Sequence, residues 1–387
     1  MKVVYAKQPF PESLHASIFL MGPTPRRETG GESWRPAMLA ALERAGFDGV
    51  VFVPEDEHAT WSHSYVEQIT WEQEGLEMAD RIVAWVPREL ETMPAFTTNV
   101  EFGEFLRTGK LLYGRPSEAP KTRYLDERYA AVLGRPPLDS IEALAHEAVA
   151  QLGQGAAREG GECRVPLEIW RSPQFQSWYA ALRQAGNRLD GARVLWRFLA
   201  GPKRDLFSFA VQVDVWVADE ARHKRSEYVF ARTDVSTIVA FARGARADGM
   251  LDEVVLVREF RATGNTRDGY VHELPGGSTF EPGQDPLAIA AQELEEETGL
   301  RIVAERFRSC GVRQVGATLS SHKSHVFAVE LDPDEIAQAR ASAQARTRHG
   351  VGNSERTYVE VMTIAEMLSD ERVDWTSVGA VLAALRR

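Results

Sequence analysis

Glu273 to Leu300 reads ELPGGSTFEPGQDPLAIAAQELEEETGL. Asp285 is placed to cap a helix, Pro286 to be its first residue and Gly299 to end it. Leu287, Ala290, Ala291 and Leu294 recur at helical spacing and form the face expected to be buried. Glu293, Glu296 and Glu297 then share a different face, because residues three and four apart are neighbours on a helix. Three close carboxylates repel one another unless cations neutralise them. Hard oxygen ligands at this spacing suit Mg²⁺ or Mn²⁺, and through the metal a substrate carrying phosphates. A solvated acidic face is the alternative reading of ELEEE by itself. Gly276-Gly277 and Gly283, which permit a tight turn beside a bound ligand, favour the metal.

Around this helix the second half of the chain reads as strands: Phe209–Val217, Tyr228–Arg232, Glu253–Phe260, Val312–Gly316, His325–Leu331 and Thr357–Thr363, with a closing helix at Thr376–Leu385. That is an α+β pattern with a mixed sheet. The first half alternates strand and helix instead. Strands are expected at Ser17–Met21, Gly49–Val53, Arg81–Val86 and Lys110–Tyr113, and helices at Arg35–Ala45, Tyr65–Met78, near Val100–Arg107 and from Ile141 to about Gln151. Short apolar strands alternating with helices imply a doubly wound parallel sheet, an α/β domain. The polar, Gly-rich stretch GQGAAREGGE divides the two, giving domains at 1–155 and 166–387 with a linker at 156–165. Leu167–Phe198 reads as a helical connector in which Trp170, Trp178 and Trp196 pack.

A length of 387 residues fits two or three domains. With 45 basic against 56 acidic side chains, the chain argues against an extended nucleic-acid surface, which needs clustered Lys and Arg. No apolar run is long enough for a membrane helix, and the first residues lack the pattern of a secretion signal. Two cysteines, Cys163 and Cys310, make no disulfide framework, so a cytoplasmic location is expected.

The Glu273–Leu300 segment resembles the Nudix hydrolase box, with Glu293, Leu294, Glu296, Glu297, Gly299 and Leu300 in register. Upstream, VVLVREFR (Val254–Arg261) followed by HELPGG is similar to the ADP-ribose pyrophosphatase branch. The resemblance implies a Nudix fold, Glu293, Glu296 and Glu297 as ligands of Mg²⁺ or Mn²⁺, and substrate contacts from Arg261, Glu273 and Gly277. A base outside the box is common in the family, and Glu355, before the last strand, is the candidate for it beside Glu297; a surface glutamate is its alternative. Two positions depart from the pattern: Gln284 replaces the first box Glu and Gln292 the Arg, which weakens support of the carboxylates. His322 and His325 read either as phosphate contacts or as strand-edge residues without chemistry.

In the first half, the loop after Val86 crosses the carboxyl end of a strand, where open parallel sheets bind ligands, and Glu101 follows on the next helix. MGPTPR, with Gly22 and Pro23, would line the same crevice. A carboxylate there can attack an anomeric carbon while a second acid protonates the leaving base. The alternative is a glutamate that favours a helix start. IFLMGPTPR, ADRIVAWV and TTNVEFGEFLRTGK resemble the nucleoside 2-deoxyribosyltransferase-like superfamily, which includes nucleotide N-glycosidases. The resemblance implies Glu101 as nucleophile, with Thr98 and Asn99 on its helix at the substrate. The family's aspartate before the nucleophile is absent. Arg88 and Glu89 stand there, and Arg88 would suit a 5′-phosphate. Asp80 either enters the site or starts a strand; Glu55, Asp56 and Glu72 are further acids, otherwise ordinary surface charge.

Together these readings describe a nucleotide-processing enzyme acting on small-molecule nucleotides. The first domain would cleave or transfer an N-glycosidic bond, of an NAD-like molecule for example, and the second would hydrolyse a nucleoside diphosphate derivative such as ADP-ribose with Mg²⁺. The alternative is a Nudix domain that senses a nucleotide without hydrolysing it and regulates the first. Members of both families often associate, so a homodimer is expected.

Overall fold

The computed structural model describes residues 1–25, 32–57, 65–200, 205–246, 249–278, 283–351 and 355–385. The chain divides into two compact units, Met1–Phe198 with Phe209–Val229, and Leu199–Ser208 with Phe230–Arg387. The first is an α/β unit with a parallel sheet, and the second is α+β with a mixed sheet.

In unit 1 five strands lie in the order Lys2–Tyr5, Val50–Val53, Ser17–Met21, Arg81–Trp85, Leu111–Gly114, and every pairing is parallel. Val50–Val53 and Leu111–Gly114 are buried throughout, as strands covered on both faces must be. One face carries Trp71, Leu76, Phe102, Phe105, Leu125 and Tyr129 from the helices Tyr65–Met78, Phe96–Phe105 and Arg123–Leu133. The other carries Met38, Ala41, Leu42, Leu144, Ala145 and Ala148 from Arg35–Arg44 and Ile141–Leu152. The chain leaves Ser17–Met21 towards Val50–Val53 and then returns to Arg81–Trp85 on the other side. The strand order therefore reverses between Ser17–Met21 and Arg81–Trp85, and their carboxyl ends open the crevice where ligands of such sheets bind.

Residues 156–165, expected as a linker, are built into unit 1. Arg158–Glu159 pairs with Ser13–Leu14, and Arg158 is buried against Asp80. The expected helical connector is helical only over Leu167–Trp170 and Pro173–Gln184. Arg188–Ala200 is instead a long strand, in a three-stranded sheet with Asp205–Val217 and Arg222–Arg232. Its apolar residues Val194, Trp196 and Phe198 sit two apart, a strand spacing that the helical reading overlooked. Trp170 packs on Phe175 and Tyr179, whereas Trp196 is 48% exposed.

Unit 2 centres on a sheet in the order Arg308–Gln314, Lys323–Glu330, Val235–Ala242, Glu253–Phe260, Thr357–Thr363, Arg348–His349, with Tyr270–Glu273 and Gly276–Gly277 paired to its central strands. Val235–Ala242 runs parallel to Lys323–Glu330; the other pairings are antiparallel. Helices Pro286–Thr298 and Pro333–Ala345 cover one face through Ala290, Leu294, Ile336 and Ala339. Ile364, Met367, Val378 and Val381 cover the other. As the sequence indicates, Asp285 accepts a hydrogen bond from the Leu287 amide, and Gly299 ends the helix with φ 76°.

Candidate functional sites

Glu101 lies on the second turn of Phe96–Phe105 and is partly buried. Burial, and then the charge of Glu72, push its carboxyl up to about 7, with Arg35 opposing. Glu72 is itself raised by burial, although Gln68 donates to it at 2.7 Å and Arg35 lies near. Arg35 is only 1% exposed and organises the group. Its guanidinium donates to Glu55 Oε1 at 2.5 Å, to the Gly22 carbonyl at 2.7 Å and to Thr24 Oγ1 at 3.1 Å. Ser33 Oγ lies 2.8 Å from Glu55 Oε2, closing the network. The sequence reading missed Arg35. The signal was present, since a cation in the first turn of a helix opposes the helix dipole and needs another reason to be there.

The other expected residues of this site divide clearly. Gly22 and Pro23 contribute their carbonyls: Pro23 accepts from Trp34 Nε1 at 3.0 Å, and a Cβ on Gly22 would sit 2.2 Å from the Trp85 carbonyl oxygen. Arg26, in the same loop, lies outside the described residues. Asp80 is not in the crevice. It precedes Arg81–Trp85 at the amino end of the sheet, fully buried, and accepts from Ser17 N at 2.9 Å, Leu167 N at 2.8 Å and Arg158 Nη2 at 2.6 Å. Glu89 is exposed, and its carboxylate accepts from Thr92 close by. Arg88 is buried, donating to the Lys121 carbonyl at 2.6 Å and to Asn99 Oδ1. Asn99, itself exposed, thus holds Arg88, and Thr98 is buried. Hollows of about 350 and 900 Å³ in unit 1 are lined by residues such as His15 and Arg158, or Tyr179 and Arg183, and include neither Glu72 nor Glu101.

In unit 2 the helix Pro286–Thr298 and the glycine strand meet. Glu297 is 2% exposed, and its carboxylate accepts from the Gly276 amide at 2.9 Å. Burial pushes it up to about 9 despite that bond, with Glu293, Glu355 and Glu273 adding to the shift. Glu293 rises to about 7 through burial, Glu296 and Glu355. A Cβ on Gly277 would come 2.0 Å from Glu293 Oε1, and one on Gly276 would come 2.3 Å from the Ser236 carbonyl oxygen. Two glycines in a row let the strand pass between the sheet and the carboxylates. Residues 279–282 of the same loop lie outside the described residues.

Glu296, whose charge also acts on Glu293, accepts from Gln292 Nε2 at 2.7 Å. Arg261 Nε donates to Glu273 Oε1 at 2.6 Å, and its Nη2 lies 2.8 Å from Glu259 Oε2 without hydrogen-bond alignment. Arg261 is thereby engaged by carboxylates. Arg232, which the sequence reading did not single out, donates to Ser278 Oγ at 3.1 Å on the same loop. His322 is held by Ser320 at 2.6 Å, and His325 lies 3.4 Å from Asp234. Among the described residues no three His, Cys, Asp or Glu side chains are arranged around one point as an ion would require. The donors fit a hard cation nonetheless: Mg²⁺ is typically held by one or two carboxylates with waters and substrate phosphates completing its shell. Glu293 and Glu297 supply two.

Residues 15–118 match a family described as nucleoside 2-deoxyribosyltransferase like. No curated protein matches the chain. A solved structure described as an ADP compounds hydrolase is similar with 16% identity and a TM-score of 0.32, over 51% of this chain and 93% of that one. That likeness is too slight to assign an activity. No helix among the described residues is long and apolar enough to cross a membrane.

Proposed function

We propose that the chain is a two-domain nucleotide-processing enzyme whose first unit cleaves or transfers an N-glycosidic bond through Glu101. The observation that carries this reading is the position of Glu101 at the switch point of the parallel sheet, beside Glu72 and the buried Arg35. Ionised, Glu101 attacks the anomeric carbon, and the carbon–nitrogen bond to the base breaks. The base leaves with a proton from a neighbouring acid, for which Glu72, raised by burial, is the candidate. The resulting glycosyl ester on Glu101 is opened by water, or by a second base in a transfer.

The second unit is proposed to hydrolyse a nucleoside diphosphate derivative, ADP-ribose being the candidate. The box residues Glu293 and Glu297 would hold Mg²⁺ or Mn²⁺, which polarises the diphosphate and lowers the pKa of an attacking water. Glu297 is fixed by Gly276, Glu293 by the space over Gly277, and Glu355 is the proposed base. An NAD-type cleavage in unit 1 would yield ADP-ribose for unit 2, which links the two reactions in order. Gln292 on Glu296, in place of an arginine, supports a second reading in which unit 2 binds a nucleotide without turnover and regulates unit 1. The protein is proposed to act in the cytoplasm as a homodimer.

The test is product analysis of the full chain with NAD, ADP-ribose and (deoxy)nucleoside monophosphates plus Mg²⁺, with Glu101→Ala and Glu297→Gln in parallel. Loss of base release in the first variant and of phosphate-ester products in the second is expected. Turnover of another dinucleotide with none of ADP-ribose removes the link between the units. Calorimetric binding without turnover, unchanged in Glu296→Gln, selects the sensor.

A further inference from the structure

The helix Trp375–Leu385 of unit 2, WTSVGAVLAAL, carries no charged residue over its eleven positions. Val378, Ala380, Val381 and Ala384 form its inner face, buried in the core of unit 2. The outer face is as apolar as the inner one. Trp375 is 86% exposed and Leu382 50%, with Gly379 open between them at helical spacing. A surface helix ordinarily turns charged side chains outward, and one that is apolar all round is ordinarily covered.

Gly379 points the same way. Glycine weakens a helix interior relative to alanine, so a glycine there needs a reason. The described residues supply none: its φ is not left-handed, and a Cβ on it would meet nothing within 4 Å. What the glycine does provide is a notch in the middle of the exposed face, where a second helix can come close.

Two copies of this face fit one another when they run antiparallel and cross at Gly379. Residues equally far before and after the crossing then meet. Trp375 falls against Ala383 of the second copy, and Leu382 against its Thr376, the larger residue on the smaller each time. The ends match in charge as well. Glu371, just before the helix, is exposed and has no ion pair among the described residues. At the far end the exposed Arg308 donates to the Ala384 carbonyl at 2.6 Å and meets no carboxylate among them. An antiparallel pair brings each Glu371 to the Arg308 end of the other helix, twice in one two-fold interface.

We infer that Trp375–Leu385 is the two-fold interface of a homodimer of this chain, closed antiparallel about Gly379. The inference deepens the proposed homodimer by giving it an interface; it rests on that association and on neither reaction. One such helix covers less than the roughly 1,200 Å² of stable complexes, so a weak dimer that dissociates at micromolar concentration is expected.

Sedimentation of the full chain from about 1 to 200 µM reads the association, and oxidation of Gly379→Cys with copper phenanthroline reads its geometry. The wild type should dimerise across that range. Trp375→Ala should weaken the dimer at least about tenfold. Gly379→Ala should weaken it by a similar factor while leaving the thermal midpoint unchanged or higher, the reverse of what a glycine needed by the fold would do. Glu371→Arg should weaken it too, and adding Arg308→Glu should restore it. Gly379→Cys should form a chain-to-chain disulfide through residue 379, which the wild type, with Cys163 and Cys310 only, cannot form. A wild type that stays monomeric throughout overturns the inference and the homodimer together. A dimer that survives Gly379→Glu, with no cross-link through residue 379, overturns the helix pairing and leaves the homodimer standing. A monomer that binds anionic lipid vesicles through Trp375 overturns the inference and gives the face to a membrane surface.

Discussion

The two carboxylate groups of this chain differ in where their balancing charge comes from. In unit 1 a buried arginine belongs to the fold: Arg35 pairs with Glu55, and its charge acts on Glu72 and Glu101. In unit 2 Arg261 is engaged by Glu273 and Glu259 and its charge also reaches Glu297, yet burial and neighbouring carboxylates still raise Glu293 and Glu297. Glu297 is more buried than Glu101 and is raised further, to about 9 against about 7. One arrangement is built around a buried arginine; in the other, burial favours the protonated carboxyls, whose protons a divalent ion would displace.

Metal removal separates the two most strongly. Chelation should lower diphosphate hydrolysis by about 10³-fold or more, since a bound ion supplies several kcal/mol at the phosphoryl group. Base release by unit 1 should be unchanged, and a common response of both reactions breaks the distinction. Next in size, Arg35→Met leaves Glu55 without its partner and should cost about 3–5 kcal/mol of stability by denaturant titration. It should also move the titration of Glu101, followed by carboxyl NMR, to higher pH. Asp80→Asn should cost a similar amount by stranding Arg158, yet leave that titration in place. A shift of equal size in both variants would deny Arg35 its special position.

Gly277→Ala acts locally. The new methyl displaces the flexible end of Glu293, so metal affinity should fall about tenfold while stability changes by less than about 1 kcal/mol. A further effect is on pH dependence. Glu293 and Glu297 are raised above the ordinary glutamate value of 4.5. Between there and about 9 the folded state binds more protons than the unfolded chain, so the metal-free protein should lose stability as pH rises. Mg²⁺ should restore it, increasingly so at higher pH. His272 has the opposite sign: buried and lowered from 6.5 to about 4, it costs stability as pH falls through that interval. Thermal midpoints across pH with and without Mg²⁺ check both.

The carboxylate helix was legible because its signals are local: a capping aspartate, a proline, a stripe and a terminal glycine all fall within fifteen residues. Four of the five strands of the parallel sheet were legible for the same reason, whereas the edge strand Lys2–Tyr5 was not singled out. The helix Pro333–Ala345 was not singled out although Asp332 and Glu335 form a reciprocal cap, a signal open to inspection. Val235–Ala242 escaped because a strand with both faces buried shows no alternation. Long-range pairing was beyond reach. Asp80 and Arg158 stand 78 positions apart, and only the fold reveals that this carboxylate is structural. Arg35 likewise gains its meaning from Glu55 and Glu72, which sequence order does not bring near it.

Calorimetric titration of Mn²⁺ into the metal-free chain at pH 7 to 8, in buffers of different ionisation enthalpy, addresses the distinction most directly. Binding should release about one proton per ion, as expected when a metal displaces protons from raised carboxyls. Glu297→Gln should abolish that release and Glu101→Gln should leave it untouched. Binding without proton release, or an equal loss in both variants, would mean that the two groups are balanced in the same way.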